Sequence, residues 1–156
     1  MSKADALKSF AENRKARHEY EVLERFEGGL VLTGQEVKSI REGGAKLDGA
    51  HLVVSHGELW LMGGHIKPYS KVSRLEEYDP SRNRKVLVHK KELAYLAGKT
   101  QEKGLTLIPF SLYPLRHQIK LSFALSRGRK AHDKRDKIKQ LDLDRQIRRA
   151  SSYDDL

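Results

Sequence analysis

The chain has 156 residues, 38% hydrophobic and 33% charged, which provides apolar material for one folded domain and excludes wholesale disorder. Thirty-one Lys and Arg against 21 Asp and Glu give a net charge of +10 and a pI near 9.8, a surplus that draws polyanions. Absence of cysteine excludes disulfide scaffolds, thiol nucleophiles and thiolate zinc sites, and with no bilayer-length apolar run or signal-like N-terminus the expected partner is nucleic acid, not membrane, in the cytoplasm.

Residues 1–17 are polar and read as a loose arm with a helical turn around Asp5–Phe10. Tyr20–Phe26 mixes β formers with charge, as a half-exposed strand does. Gly28-Gly29 then reads as a turn and Leu30–Leu32 as the returning strand. Thr33-Gly34-Gln35-Glu36 has the spacing of a capping box; Val37, Ile40 and Arg41 continue at helical spacing, and Gly43-Gly44 ends the helix. Leu52–Val54 and Glu58–Met62 flank Ser55-His56-Gly57 as a hairpin.

A charged loop runs to Asp79-Pro80. Lys85–Val88 is a brief strand or the start of the next helix, and Glu92–Gly98 carries Leu93, Leu96 and Ala97 at helical spacing. Leu105–Pro109 and Phe110–Tyr113 are strand material broken by a proline. Gln118–Leu125 alternates Ile119, Leu121, Phe123 and Leu125 with more polar or smaller neighbours. About six short strands with short helices between them imply a mainly β fold, a small closed antiparallel barrel of oligonucleotide-binding type.

After Leu125 the apolar pattern fails. Arg127–Lys139 holds seven basic residues and two Asp, a net of +5 over thirteen residues. Wound as a helix, 133–150 gathers Lys134, Lys137, Arg145, Arg148 and Arg149 on one broad face, interrupted by Ile138 and Leu141. The expected division is a flexible 1–12, a barrel over 13–126, and a basic tail over 127–156 that is disordered when free and ordered by a polyanion.

No catalytic constellation assembles. There is no Gly-x-Ser-x-Gly elbow, no Gly-x-Gly-x-x-Gly and no phosphate-binding loop, and the histidines lack His-x-x-x-His spacing. His132-Asp133 falls short of the three convergent groups a metal site needs, so neither metal nor cofactor is expected. Glu19, Glu21, Glu24 and Glu27 read as a charged strand face balancing nearby arginines.

Three basic clusters carry the binding signal. Asn13-Arg14-Lys15-Ala16-Arg17-His18-Glu19-Tyr20 combines amide, guanidinium, imidazole and aromatic groups, the kit for phosphate contact and base stacking; a solvated arm is the alternative. Arg82-Asn83-Arg84-Lys85, with Lys90-Lys91 after it, has no acid between Arg82 and Lys91, so its charge reads as locally uncompensated; a soluble loop is the alternative. Arg127-Gly128-Arg129-Lys130-Ala131-His132-Asp133-Lys134-Arg135 is dense enough to repel itself without an anion.

The order of these segments resembles the SsrA-binding (small protein B) family. The matching segments are Asn13–Tyr20, Gly34-Gln35-Glu36-Val37-Lys38-Ser39-Ile40-Arg41, Asp79–Lys85, Ser111-Leu112-Tyr113 and His132-Asp133-Lys134-Arg135, spanning about Asn13 to Lys139. The resemblance implies an oligonucleotide-binding-type barrel that binds the transfer-RNA-like domain of transfer-messenger RNA and escorts it to stalled ribosomes. It also implies a tail that becomes helical in the empty messenger-RNA channel, with the protein acting as a monomer. Carried over by position, Asn13, Tyr20, Glu27, Leu87 and Lys120 match RNA-binding positions. Arg14, Lys15, Arg17, His18, Lys38, Arg82, Arg84 and Lys85 extend that set from the basic clusters and from the Gly34–Arg41 motif.

In the tail, Arg129, Lys130, His132, Asp133, Lys134, Arg135, Lys137, Lys139, Arg145, Arg148 and Arg149 are the residues implied to meet the ribosome, His132 by stacking near the decoding centre. On residue type alone Leu87 also reads as core, and Glu27 as a buttress for arginines or an acceptor for a base edge. Gly44, His51 and Pro114-Leu115 depart from the family pattern, so contacts in those loops do not carry over. The alternatives are a generic barrel for structured RNA or ribosomes, and a nuclease using His132 and Asp133.

Overall fold

The computed structural model describes residues 8–72 and 78–129. Among these residues nine strands and three helices follow one another: β1 (Ala11–Glu12), α1 (Arg14–Glu19), β2 (Tyr20–Leu30), α2 (Gly34–Arg41), β3 (Ala45–Lys46), β4 (His51–Ser55), β5 (Glu58–Met62), β6 (His65–Ile66), β7 (Arg84–Leu87), α3 (Lys90–Lys99), β8 (Leu105–Leu115) and β9 (Gln118–Gly128). All pairings are antiparallel.

The main sheet runs β1-β8-β4-β5-β7-β2-β9, and β9 also pairs with β8. Six strands therefore close into a ring, as the expected barrel requires, and ring closure leaves little free edge for another chain to pair with. β9 takes one edge of β8 along its whole length. β4 and β1 share the other edge, at Leu107 and at Ser111-Leu112.

The alternation in β9 decides which face is core. Ile119, Leu121, Phe123 and Leu125 point inward, where they meet Leu52, Leu59, Leu61, Val86, Leu107 and Leu112. Ile40 of α2 and Leu96 of α3, both 0% exposed, add to this core. A second, smaller core lies on the outer face, where Ala16 of α1 covers Ile108, Phe110 and Ala124. The predicted capping box holds: Thr33 accepts from the Glu36 backbone, and the Glu36 carboxylate accepts from the Thr33 backbone. The hairpin at 52–62 also forms as expected, through residues His56 and Gly57 at positive φ.

Several expectations change. Asp5–Phe10 lies partly outside the described residues, and Lys8–Phe10 is not helical. The helix forms one step later, at Arg14–Glu19, because Asn13 caps it. Gly28-Gly29 is not a turn, since β2 runs straight through both. Gly28 is required by close approach: a Cβ there would lie 2.6 Å from Val86 Cγ1 and 3.1 Å from the Leu87 carbonyl oxygen. Pro109 does not break β8 either. The strand accommodates it at an irregularity in register between Pro109 and Ser111, opposite Phe123 and Ser122. β9 continues past Leu125 to Gly128, so the ordered strand extends beyond the expected boundary at 126.

Candidate nucleic-acid interface

Strand register sets out the outer face in rows. Leu87, Gly29, Lys120 and Tyr113 are successive partners across β7, β2, β9 and β8. Glu27, Ser122 and Ser111 form the next row, and Arg25 sits opposite Ala124 in the row after that. Because side chains alternate along a strand, Arg25, Glu27 and Gly29 share one face of β2, opposite the face that carries Phe26 and Gly28. The N-terminal segment and α1 wall this surface on one side and residues 87–92 on the other. Between them lies an open cleft of about 990 Å³.

The cleft gathers Arg17, Arg25, Lys120, Glu27 and Leu87. Among the described residues Arg17, Arg25 and Lys120 make no ion pair, so their charge is available to an anion. Lys120 reaches over the floor at Gly29: its ammonium would lie 3.7 Å from a Cβ placed there, and Leu87 Cβ lies 3.8 Å away on the other side. Leu87 is 55% exposed, which removes its reading as a core residue. Glu27 accepts the hydroxyl hydrogen of Tyr113, a residue 1% exposed, instead of buttressing an arginine.

Cluster Asn13–Tyr20 is an ordered helix with two faces. Arg14, Lys15, Arg17 and His18 point to solvent; Ala16 and Asn13 are buried. Asn13, 2% exposed, donates to the Pro109 carbonyl at 2.9 Å and the Leu47 carbonyl at 3.3 Å, and accepts from the Ala16 backbone. It therefore positions α1 on β8. Tyr20 packs against the small outer core and borders a separate cavity of about 310 Å³ with Asn13 and Lys15. Arg14 pairs with Glu12 at 3.8 Å and Lys15 with Glu19 at 3.9 Å, both at the surface.

The cluster at 82–85 differs most from its sequence reading. Its charge is compensated through space by acids far away in the chain. Glu36, 0% exposed, accepts from both Arg82 and Arg84; Arg84 Nε lies 2.8 Å from Glu36 Oε2. Arg84 is itself 0% exposed and donates further to the Gly64 and Pro80 carbonyls, while Lys85 pairs with Glu58 at 3.0 Å. Arg84 thus locks α2 to β7 and to the segment before it, and presents no donor to solvent. Lys38 lies apart from the cleft, over the Tyr69 ring at 5.6 Å.

Of the tail residues implied to meet the ribosome, Arg129 alone is described; its backbone N–H bonds the Glu19 carbonyl, joining the end of β9 to α1. Lys130, His132, Asp133, Lys134, Arg135, Lys137, Lys139, Arg145, Arg148 and Arg149 lie outside the described residues. No helix among the described residues is long and apolar enough to cross a membrane, and no group of three or more potential metal ligands occurs among them. Arg25 and Tyr113 were not singled out from the sequence as site residues. Reading β2 as continuous would have found Arg25, since it precedes Glu27 at an interval of two.

Comparison with known proteins agrees with the motif order. The model of the family described as SmpB protein matches residues 10–153. An SsrA-binding protein of Thermosynechococcus vestitus is 47% identical over 146 residues, covering 94% of this chain and 96% of its own. One from Desulforudis audaxviator is 47% identical over 144 residues, covering 92% and 94%. A solved structure described as "tmRNA-SmpB: a journey to the center of the bacterial ribosome" superposes with a TM-score of 0.64 at 47% identity, over 77% of this chain and 84% of that one. With its ring of strands, its ordered motifs and a family match over nearly its whole length, the chain belongs to the SmpB protein family.

Proposed function

We propose that this protein binds the transfer-RNA-like domain of transfer-messenger RNA and delivers it to stalled ribosomes for trans-translation. The observation that carries this reading is the cleft over β2, β9 and β8. There the family-matched Glu27, Leu87 and Lys120 converge with Arg17 and Arg25; Arg17, Arg25 and Lys120 make no ion pair among the described residues, although Glu12, Glu27 and Glu92 line the same cleft. Cations supply the phosphate contacts that dominate affinity, and the exposed Leu87 offers apolar surface to a nucleoside.

Asn13 acts indirectly, by seating α1 so that Arg17 lines the cleft. Arg82 and Arg84 serve the fold through Glu36. The body from Asn13 to the end of β9 recognises the RNA, and the basic tail, with His132 at its start, enters the vacant messenger-RNA channel. The protein acts by binding and not by catalysis, in the cytoplasm, as a monomer.

The test is a reconstituted translation system stalled on a message without a stop codon and supplied with transfer-messenger RNA. Full-length protein should restore peptide tagging. A chain ending at Ala131 should bind the RNA equally well yet fail to tag. Tagging without the protein, or full tagging by the shortened chain, would overturn this division of labour.

A further inference from the structure

The chain contains one Asp-Gly and no Asn-Gly, and Asp48-Gly49 stands at an exposed turn outside the cleft. The Ala50 N–H bonds the Leu47 carbonyl at 2.9 Å, and Gly49 has φ +78°, as the third position of a type II turn demands. Leu47 and Ala50, on either side, are 2% and 3% exposed, so a surface dipeptide is strung between two buried anchors. Among the described residues the Asp48 carboxylate makes no ion pair or hydrogen bond, and no carbonyl accepts from the Gly49 N–H. A Cβ on Gly49 would meet no atom within 4 Å beyond its chain neighbours. The Leu47 carbonyl has a second donor, Asn13 Nδ2 at 3.3 Å, and Gly49 and Ala50 share the cavity of about 310 Å³ with Asn13, Lys15 and Ala16. The turn is therefore part of the seat of α1.

We propose that Asp48-Gly49 is a site of spontaneous backbone modification, at which the aspartate converts to isoaspartate through a cyclic imide. The Gly49 nitrogen attacks the side-chain carboxyl carbon of Asp48. A C–N bond forms there, and the carboxyl hydroxyl leaves with the amide hydrogen as water. Water then adds to the α-carbonyl of the imide and breaks its bond to nitrogen, so the chain runs on through the former side chain. The water lost is regained, and nothing is oxidised or reduced. Glycine favours the attack because it has no side chain to shield its nitrogen or to resist the rotation that brings it to the carboxyl. The product carries one extra methylene between Leu47 and Ala50, about 1.5 Å of chain. With both anchors buried, that length displaces the Leu47 carbonyl from Asn13 and loosens α1.

The experiment incubates the full-length protein at neutral pH and physiological temperature and follows isoaspartate at position 48 by electron-transfer mass spectrometry. A synthetic peptide spanning Gly44–Val54 is incubated beside it. Reaching the attack geometry breaks the turn's one hydrogen bond, so the rate in the folded protein should lie within about tenfold of the peptide's. Asp48→Glu keeps the charge but needs a larger, slower-closing ring, and should form no detectable isomer at position 48. Isomerised protein, separated by ion exchange, should show faster amide hydrogen exchange across α1 than the unmodified protein, with exchange in the centre of β9 unchanged.

A folded-state rate more than about tenfold below the peptide's would overturn the inference, as would accumulation no greater than in Asp48→Glu. Unchanged exchange across α1 in the isomerised protein would overturn the link through Leu47 to Asn13. Neither readout involves RNA, so these outcomes are independent of the RNA-binding role above.

Discussion

Replacing Glu36 with glutamine removes one charge and almost no volume from the centre of the Arg82–Arg84 lock. Glu36 and Arg84 are both 0% exposed, and Arg82 is 36% exposed on its side chain. The glutamine oxygen can still accept one guanidinium hydrogen bond, but its amide NH₂ then faces further N–H donors, and Arg84 is left as an uncompensated buried cation. Removing one partner of a buried ion pair costs about 3–5 kcal/mol. At a urea m-value of about 2 kcal/mol/M, that lowers the unfolding midpoint by roughly 1.5–2.5 M. Glu58→Gln is the control, because the Lys85–Glu58 pair is about 40% exposed at both ends and should contribute under about 1 kcal/mol. Urea unfolding followed by circular dichroism measures both. A Glu36→Gln midpoint within the range of the Glu58→Gln control would refute the claim that Arg82 and Arg84 belong to the fold's interior lock.

The same carboxyl gives the protein an acid dependence. Burial acts to raise its pKa, but hydrogen bonds from Arg82, the Thr33 backbone and Arg84 outweigh it and hold the group below its ordinary 4.5. A carboxyl depressed by folding stabilises fully above its unfolded pKa and loses that contribution as pH falls through its folded value, so wild-type stability should drop more steeply below about pH 4.5 than that of Glu36→Gln; parallel profiles would contradict this. Gly28→Ala should cost about 1–3 kcal/mol because its Cβ meets Val86 at 2.6 Å. Gly29→Ala should keep the wild-type unfolding free energy to within about 0.5 kcal/mol, as a Cβ there meets Lys120 Nζ at 3.7 Å and Leu87 Cβ at 3.8 Å, yet weaken RNA binding by raising the cleft floor. Lys120→Gln should reduce the salt slope of RNA binding by about 0.7–0.9, whereas Lys85→Gln, already paired with Glu58, should change it less.

The parts of this fold that were legible in the sequence are those specified by local chemistry. The reciprocal bonds of Thr33 and Glu36 need only a three-residue spacing, and the inward set Ile119, Leu121, Phe123 and Leu125 needs only the two-residue period of a strand. What was not legible depends on contacts between distant segments. Gly28-Gly29 has turn composition, but the demand for glycine at 28 comes from Val86, on β7, a strand far later in the chain that pairs with β2. Pro109 has the composition of a break, and a local irregularity in the β8–β9 register absorbs it.

The candidate site divides the same way. Glu27, Leu87 and Lys120 were singled out by family resemblance, but nothing local placed them together; register across β7, β2 and β9 does. The charge at 82–85 appeared uncompensated because its partners, Glu36 and Glu58, lie 46 and 27 residues away in the chain. Charge density along a sequence therefore overstated one cluster, and understated Arg25, whose neighbours in sequence include two acids.

The most direct test of the protein's role is equilibrium binding of the full-length chain to the transfer-RNA-like domain of transfer-messenger RNA, with excess bulk transfer RNA as competitor. A strong preference for the cognate domain, lost when Arg17 and Lys120 are both replaced by glutamine and kept when Glu58 is, is the outcome expected if recognition lies in the cleft. Equal affinity for the two RNAs would contradict it and leave a basic protein that binds structured RNA without selecting this one.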